Sequence, residues 1–293
     1  MNDNIDRKEK VIAYYNQEAK DYINQYIKPT MEQELYPANA VRLEIILKLL
    51  HEHKCKSVLD VGCGSGGPLI RFLKEGYDAC GFDFSEEMVN TCKKQLQDAG
   101  FNSSKAFHGD IEIKKSLPDK NFDAIVATGV FPHNIDDNAA YANLKAHLGN
   151  NGVALIEYRN VLMSLFSLNR YSEPFFWHDL IAGDKLPSNL REETRNFLAN
   201  KFDTDIKSVG KPRSIEYTNI LARFHNPLTL AEEIAAHGFK LLRIHYYHYH
   251  CTLPHLEKDF RTDFWESSLK MENPQDWRGM FLCSAFIAEI KKS

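Results

Sequence analysis

The chain has 293 residues, 36 basic and 40 acidic, for a formal net charge of −4. That length can bury a large core as one elaborated domain, and a mildly acidic balance without a polybasic run disfavours a nucleic-acid partner. No apolar run approaches membrane-spanning length and the polar start from Met1 to Lys8 lacks a signal region, while six scattered cysteines (Cys55, Cys63, Cys80, Cys92, Cys251, Cys283) without a CxxC pair read as reduced thiols of a cytoplasmic protein.

Val11, Ile12, Tyr15, Ala19, Tyr22, Ile23 and Tyr26 recur at helical spacing and predict a first helix, with Tyr14 off that stripe. A second helix is expected from Pro37, carrying Val41, Ile45, Ile46, Leu49 and Leu50. Strands and helices then alternate. Strand Ser57–Val61 leads to helix Pro68–Glu75, and strand Ala79–Asp83 to a helix capped by Ser85 and closed by Gly100. Glu86 and Glu87 stand in the first turn of that helix, where the dipole favours acids. A short strand near Lys105–His108 precedes strand Phe122–Ala127, a helix near Asp136–Leu148 closed by Gly149, and strand Gly152–Tyr158. This alternation predicts a parallel sheet with right-handed crossovers.

From about Asn160 to Phe224 helix signals (Ser172–Leu180, Ser188–Phe202) replace the alternation. Thr229-Leu230-Ala231-Glu232 then reads as a capping box, opening a helix that ends at Gly238. Strand Leu241–Cys251 and a last strand, Met280–Ile290, complete the pattern. The expected division is N-terminal helices over 1–55, a core of 56–160 and 226–293, and an insertion over 161–225 folded onto that core.

The most informative stretch is Val58-Leu59-Asp60-Val61-Gly62-Cys63-Gly64-Ser65-Gly66-Gly67-Pro68. Glycines between a strand and a helix let a ligand approach the backbone and meet free N–H groups. Gly62-x-Gly64-x-x-Gly67, with Asp83 about 20 residues on, satisfies the dinucleotide fingerprint and alone fits a nicotinamide dehydrogenase. Asp60 argues against that reading, because a carboxylate beside the first glycine repels phosphate and suits a cationic ligand. Asp110, in His108-Gly109-Asp110, adds an acid at the end of the third strand. A helix and two late strands also follow the fifth parallel strand.

Together with Gly81-Phe82-Asp83-Phe84-Ser85, Gly109-Asp110-Ile111, Phe122-Asp123-Ala124-Ile125-Val126-Ala127 and Leu148-Gly149-Asn150-Asn151-Gly152, these residues resemble class I S-adenosylmethionine-dependent methyltransferases of the small-molecule type. The resemblance is clear over 56–160 and one of layout over 226–290; Asn stands where Pro or Lys is more usual before the fifth strand. It implies an α/β, Rossmann-like, seven-stranded, mostly parallel sheet with helices on both faces. An N-terminal helical extension and a largely helical cap after strand 5 would complete it. It also implies S-adenosylmethionine as cofactor. Gly62, Cys63, Gly64 and Gly66 would cradle its methionine part, with Asp60 near the ammonium. Asp83 would accept the ribose hydroxyls, Phe84 stack on the adenine, Asp110 accept from the adenine amino group and Ile111 cover the ring. Thr128 and Gly129 would border the sulfonium, and Tyr14 would close over the site.

A sulfonium is an activated methyl donor, so the protein has to align an acceptor, exclude water and, for some acceptors, remove a proton. His133, in the loop after the fourth strand, is the expected base, its alternative being a helix cap or backbone contact. Arg159 can clamp a carboxylate or phosphate, or simply pair with a neighbouring acid. Asn160, Tyr171, His178, His248, His250 and Trp277 complete the expected acceptor-binding set, whereas Phe175 and Phe176 read as ordinary core. Along His245–His250, strand alternation puts Tyr246, His248 and His250 on one face and His245, Tyr247 and Tyr249 on the other. No acid or cysteine joins these histidines at familiar spacing, so they read as a pocket wall and no metal is expected. The expected function is methyl transfer to an oxygen or nitrogen of a small polar metabolite, by a monomer or homodimer with no nucleic-acid or membrane partner. The alternatives are a methyltransferase acting on protein or RNA, disfavoured by the charge balance, and a non-catalytic cofactor-binding protein, disfavoured by the complete motif set.

Overall fold

In the computed structural model, which describes residues 8–16, 36–169, 171–181, 183–201 and 222–293, the apolar runs become the centre of one sheet. Its strands are β1 (Ser57–Val61), β2 (Asp78–Asp83), β3 (Ala106–His108), β4 (Phe122–Ala127), β5 (Leu148–Asn160), β6 (Phe224–His225), β7 (Phe239–Tyr249) and β8 (Cys283–Lys292). The order is β3-β2-β1-β4-β5-β8-β7, with β6 added beside the end of β5. Pairs β1–β2, β2–β3, β1–β4 and β4–β5 are parallel, and β8 runs antiparallel to both β5 and β7. This is the expected α/β, Rossmann-like sheet with one more strand than expected. At two residues, β6 is too short to leave an alternating pattern in the sequence.

Strand alternation divides the core. Leu59 and Val61 of β1 face one side, with Phe131, Tyr141 and Leu144, and with Leu230 and Ile234 of the helix Leu230–Ala236. Val58 faces the other side, where α2 (Ala38–Glu52), α3 (Gly67–Lys74) and α4 (Glu86–Asp98) bury Ile46, Leu50, Leu69, Phe72, Cys92 and Leu96. Residues 8–16 form the first helix, α1. Helix α5 (Asp137–His147) follows β4, and α6 (Ser188–Lys201) lies in the helical stretch after β5. No helix among the described residues is long and apolar enough to cross a membrane.

Several local signals hold. Ser85 caps α4 by accepting from Met88 N at 3.1 Å, and Asp136 caps α5 by accepting from Ala139 N at 3.1 Å. Others need correction. Gly149 does not close α5: the helix passes straight into β5 at Leu148, and a Cβ at Gly149 would lie 3.1 Å from the Phe122 carbonyl oxygen. Thr229 makes no side-chain cap. Asn226 organises that turn instead, its Oδ1 accepting from Leu228 N at 3.0 Å. The last strand starts at Cys283 rather than Met280, because Gly279–Leu282 form a helical turn. Simple alternation fails at His248, whose φ of +62° twists β7 so that Tyr246 and Tyr249 pack into one cluster and Tyr247 into the other.

The antiparallel edge is tied to α2 by one carboxylate. Glu289 of β8, 1% exposed, accepts from His53 Nε2 at 2.7 Å, Arg243 Nε at 2.8 Å and His245 Nε2 at 3.0 Å. Burial alone would raise its pKa, but these three donors outweigh it and hold the carboxyl down at about 2. A depressed carboxyl contributes stability above its unfolded pKa and loses it as pH falls through the folded value. Glu289→Gln is therefore expected to cost about 3 kcal/mol at pH 6. In denaturant melts the gap from the parent should shrink as pH falls from about 4.5 towards 2; a gap unchanged at low pH would contradict the assignment.

Candidate functional site

The parallel strands β1, β2 and β4 all deliver their C-terminal ends to one edge, and the turns that leave them line a cleft of about 710 Å³, partly open to solvent. Gly62 and Gly64 follow β1; Asp83 and Phe84 end β2; Gly109, Asp110, Ile111 and Glu112 follow β3; Thr128, Gly129, Val130, His133 and Asn134 follow β4. Lys8, Val11 and Tyr15 of α1 form the remaining wall, with Met88 of α4.

Local chemistry explains the loop. Gly62 has φ +69°, and a Cβ there would lie 2.5 Å from Val130, so only glycine lets the loops after β1 and β4 meet. Gly66 has φ +93° at the start of α3, and its missing Cβ leaves room for the Cys92 sulfur at 2.6 Å. Asp83 fixes the loop from β2: Oδ2 accepts from Gly64 N at 3.0 Å and Oδ1 from Ser85 N at 2.9 Å. Each oxygen keeps a lone pair for a ligand. Burial raises the Asp83 pKa to about 6 against the pull of those N–H groups.

Asp60 is the anomaly. It is fully buried, and neither carboxylate oxygen has a hydrogen-bond partner. Burial raises its pKa to about 8, although the Arg42 guanidinium favours the ionised form. Arg42 itself, buried in α2, bonds Glu157 Oε2 at 2.6 Å, and Glu157 Oε1 accepts from Tyr247 at 2.5 Å. An orphaned buried carboxylate beneath a glycine loop matches a site that receives a cation. Asn134 Nδ2 and Ser65 Oγ are likewise buried without a partner, and Asn134 lines the cleft. These groups fit a ligand carrying an ammonium, hydroxyls and an apolar ring.

Over the cleft, Tyr15 Oη and His133 Nε2 share a hydrogen bond of 2.9 Å, with the rings edge to face. Lys8 Nζ reaches Asp110 Oδ2 and Glu112 Oε2, both at 2.5 Å. Glu112 Oε1 also accepts from Ile135 N at 2.5 Å and Asp136 N at 3.0 Å, joining the β3 loop to the β4 loop.

Of the expected cofactor set, Gly62, Gly64, Asp83, Phe84, Asp110, Ile111, Thr128 and Gly129 meet at the cleft. Cys63 and Gly66 lie behind the loop, against the α4 side of the sheet. Tyr14 is not on the cleft wall. It packs with Val11, and its neighbour Tyr15 lines the cleft instead.

The expected acceptor set is dispersed. Asn160 is committed to structure, its Nδ2 donating to the Met280 and Cys283 carbonyls at 2.8 and 2.9 Å and its Oδ1 accepting from Leu162 N. Trp277 is 71% exposed, and His178 is exposed beside Asp184 at 3.6 Å. Tyr171 packs against Phe224. His248 and His250 stand at the end of β7 with ring centres 4.9 Å apart, His248 bonded to Ser284 Oγ at 2.8 Å. Burial holds both rings below the usual histidine pKa. Arg159, near the end of β5, is part of that neighbourhood and also disfavours charge on His248. Tyr22, on the helical stripe of the first segment, lies outside the described residues. Asp137, His225 and Glu233 come within metal-binding distance of one another, but both Asp137 oxygens are held by Arg223 at 2.6 Å.

Residues 58–152 match the family model described as a methyltransferase domain. An uncharacterized protein of Haemophilus influenzae is 34% identical over 134 residues, covering 42% of this chain and 53% of its own. A glycine/sarcosine N-methyltransferase of Parasynechococcus marenigrum is 32% identical over 123 residues, covering 40% of this chain and 43% of its own. The matches thus span about half the length of these curated relatives. The crystal structure of a magnesium protoporphyrin IX methyltransferase from Synechocystis with bound SAH shares the fold, with a TM-score of 0.54 at 14% identity over 97% of this chain and 98% of that one.

The raised pKa of Asp60 means that the free protein bears a cost once the pH exceeds the unfolded carboxyl value, about 4 kcal/mol at pH 7. Asp60→Asn should therefore raise the melting temperature of the ligand-free protein by several degrees at pH 7–8, with the gain fading towards pH 4. An equal or lower melting temperature at pH 8 would count against a strained carboxylate.

Proposed function

We propose that this chain, which carries an S-adenosylmethionine-dependent methyltransferase domain over residues 58–152, transfers the methyl group to an oxygen or nitrogen of a small polar metabolite. The observation that carries the reading is the joint geometry of Asp60 and Asp83: an unpartnered buried carboxylate beneath the glycine loop, and a second one fixed by that loop with lone pairs to spare. The N-methyltransferase among the relatives, named for glycine and sarcosine, supports an acceptor of small size.

Asp60 would meet the ammonium, Asp83 the ribose hydroxyls, and Asp110 with Ile111 the adenine. When bound, the cofactor supplies a sulfonium whose methyl needs no further activation. What remains for the chain is positional. Thr128, Gly129 and Val130 border the reacting end, and α1 shields it from water with Tyr15. His133 is the base. The acceptor's proton is taken up by the Tyr15–His133 pair, whose hydrogen bond fixes the ring over the cleft. Residues 161–225 would cover the acceptor, and Arg159, His248 and His250 are the polar groups at that edge of the sheet. The acidic balance favours this reading over protein or RNA methylation.

Supplying labelled methyl donor with a metabolite pool should place label in a small product; label confined to protein or RNA fractions would overturn the acceptor class. With that product's precursor, His133→Asn should bind S-adenosylhomocysteine as the parent does while losing about 100-fold or more in kcat. Full activity in that variant would remove His133 from the chemistry.

A further inference from the structure

The turn that bears His133 is gripped from outside the cleft. Phe131–His133 form a single buried turn between β4 and α5. Arg223, the residue before β6, donates its backbone N–H to the Pro132 carbonyl at 2.9 Å and Nη2 to the Phe131 carbonyl at 3.0 Å. The two ends of its guanidinium also clasp Asp137 Oδ1 and Oδ2, both at 2.6 Å, in the first turn of α5. Backbone and side chain of one residue thus span the two residues before His133 and the helix that follows it, the side chain joining Phe131 to Asp137. β6 in turn pairs with Arg159 and Asn160 at the end of β5. The strand on which the chain returns to the sheet after the segment 161–223 is therefore locked to the turn carrying the base.

We propose that Arg223 is a positioning residue for His133, coupling the placement of β6 at the end of β5 to the Tyr15–His133 contact. The inference rests on the reading of His133 as the base. Only arginine suits the role, because its planar fork meets both carboxylate oxygens and a carbonyl at once; a lysine keeps the charge but cannot span them. Loss of the fork frees the turn, and a shift of about 1 Å at a catalytic group is enough to lower the rate by about 100-fold. Arg223 lines no part of the cleft, so cofactor affinity is not expected to change.

The test compares the parent, Arg223→Lys and Asp137→Asn, each with and without S-adenosylhomocysteine. Binding is followed by calorimetry, and the Tyr15 and His133 rings by nuclear magnetic resonance in histidine-labelled protein. The expected result is a ligand affinity within about twofold of the parent. The Tyr15–His133 ring contact should meanwhile fall by more than half and the His133 ring signals move, with the distant Tyr36–His248 stack unchanged. An unchanged Tyr15–His133 contact in both variants overturns the proposal. Movement of both ring pairs together does so as well, since it would mark general loosening. If Arg223→Lys does not fold, Asp137→Asn carries the comparison, as it removes the charge that holds the fork. Failure of the parent to bind S-adenosylhomocysteine would strike at the functional reading, while the ring contact in ligand-free protein still decides the clamp.

Discussion

A carboxylate without a partner, sealed near the end of the central strand, is the constraint on which this structure turns. Burial disfavours the ionised form of that carboxyl, so the free protein holds it largely protonated near neutral pH. β1 is flanked by parallel neighbours on both sides, with Asp60 in register with Gly81 and Val126. Arg42 lends it partial compensation while being committed to Glu157. Asp60 stands two residues before Gly62, where β1 passes into the glycine loop, and is not itself among the residues that line the cleft. Destabilised groups of this kind concentrate where a ligand will complete them.

The rest of the site follows from the parallel sheet. Because β1, β2 and β4 end at one edge, three acids and a histidine from distant parts of the sequence converge without a long loop among them. The loops are then cross-braced rather than left free. Asp83 holds the β1 loop, Glu112 holds the start of α5, and Arg223 holds the turn before His133. Lys8 and Tyr15 bring α1 onto two of these braces. Val11 and Tyr14 of the same helix are buried, with Tyr15 and Phe84 packed against them.

Much of this was legible in the sequence because it is local. The glycine loop, the acid at the end of β2 and the Ser85 cap are each encoded within a few residues, and the apolar strands set the sheet. What escaped was encoded at long range. Arg42 and Glu157 are 115 residues apart, and Arg223 and Asp137 are 86 apart, so no spacing announces either pair. Helical periodicity on α1 marks an apolar stripe, but a cleft wall and a core are both apolar to that test, and Tyr14, off the stripe, packs with Val11 while Tyr15, on it, lines the cleft. Asn160 looked like a substrate ligand because polar groups at strand ends often are. Its donors are instead consumed by carbonyls at the start of β8, a contact visible only once β5 and β8 are paired. The positive φ of His248, on a residue other than glycine, has no sequence signature at all.

The measurement that bears most directly on the central claim is calorimetric binding of S-adenosylhomocysteine across pH in buffers of different ionisation enthalpy. Asp60, raised to about 8, is largely protonated in the free protein at pH 6–7, and on the proposed reading it ionises against the ligand's ammonium. Binding should then release close to one proton at pH 7, with affinity rising from pH 6 to 8, and both effects should vanish in Asp60→Asn. Binding of the same strength with no proton release, or tight binding of NAD in place of S-adenosylhomocysteine, would contradict the account.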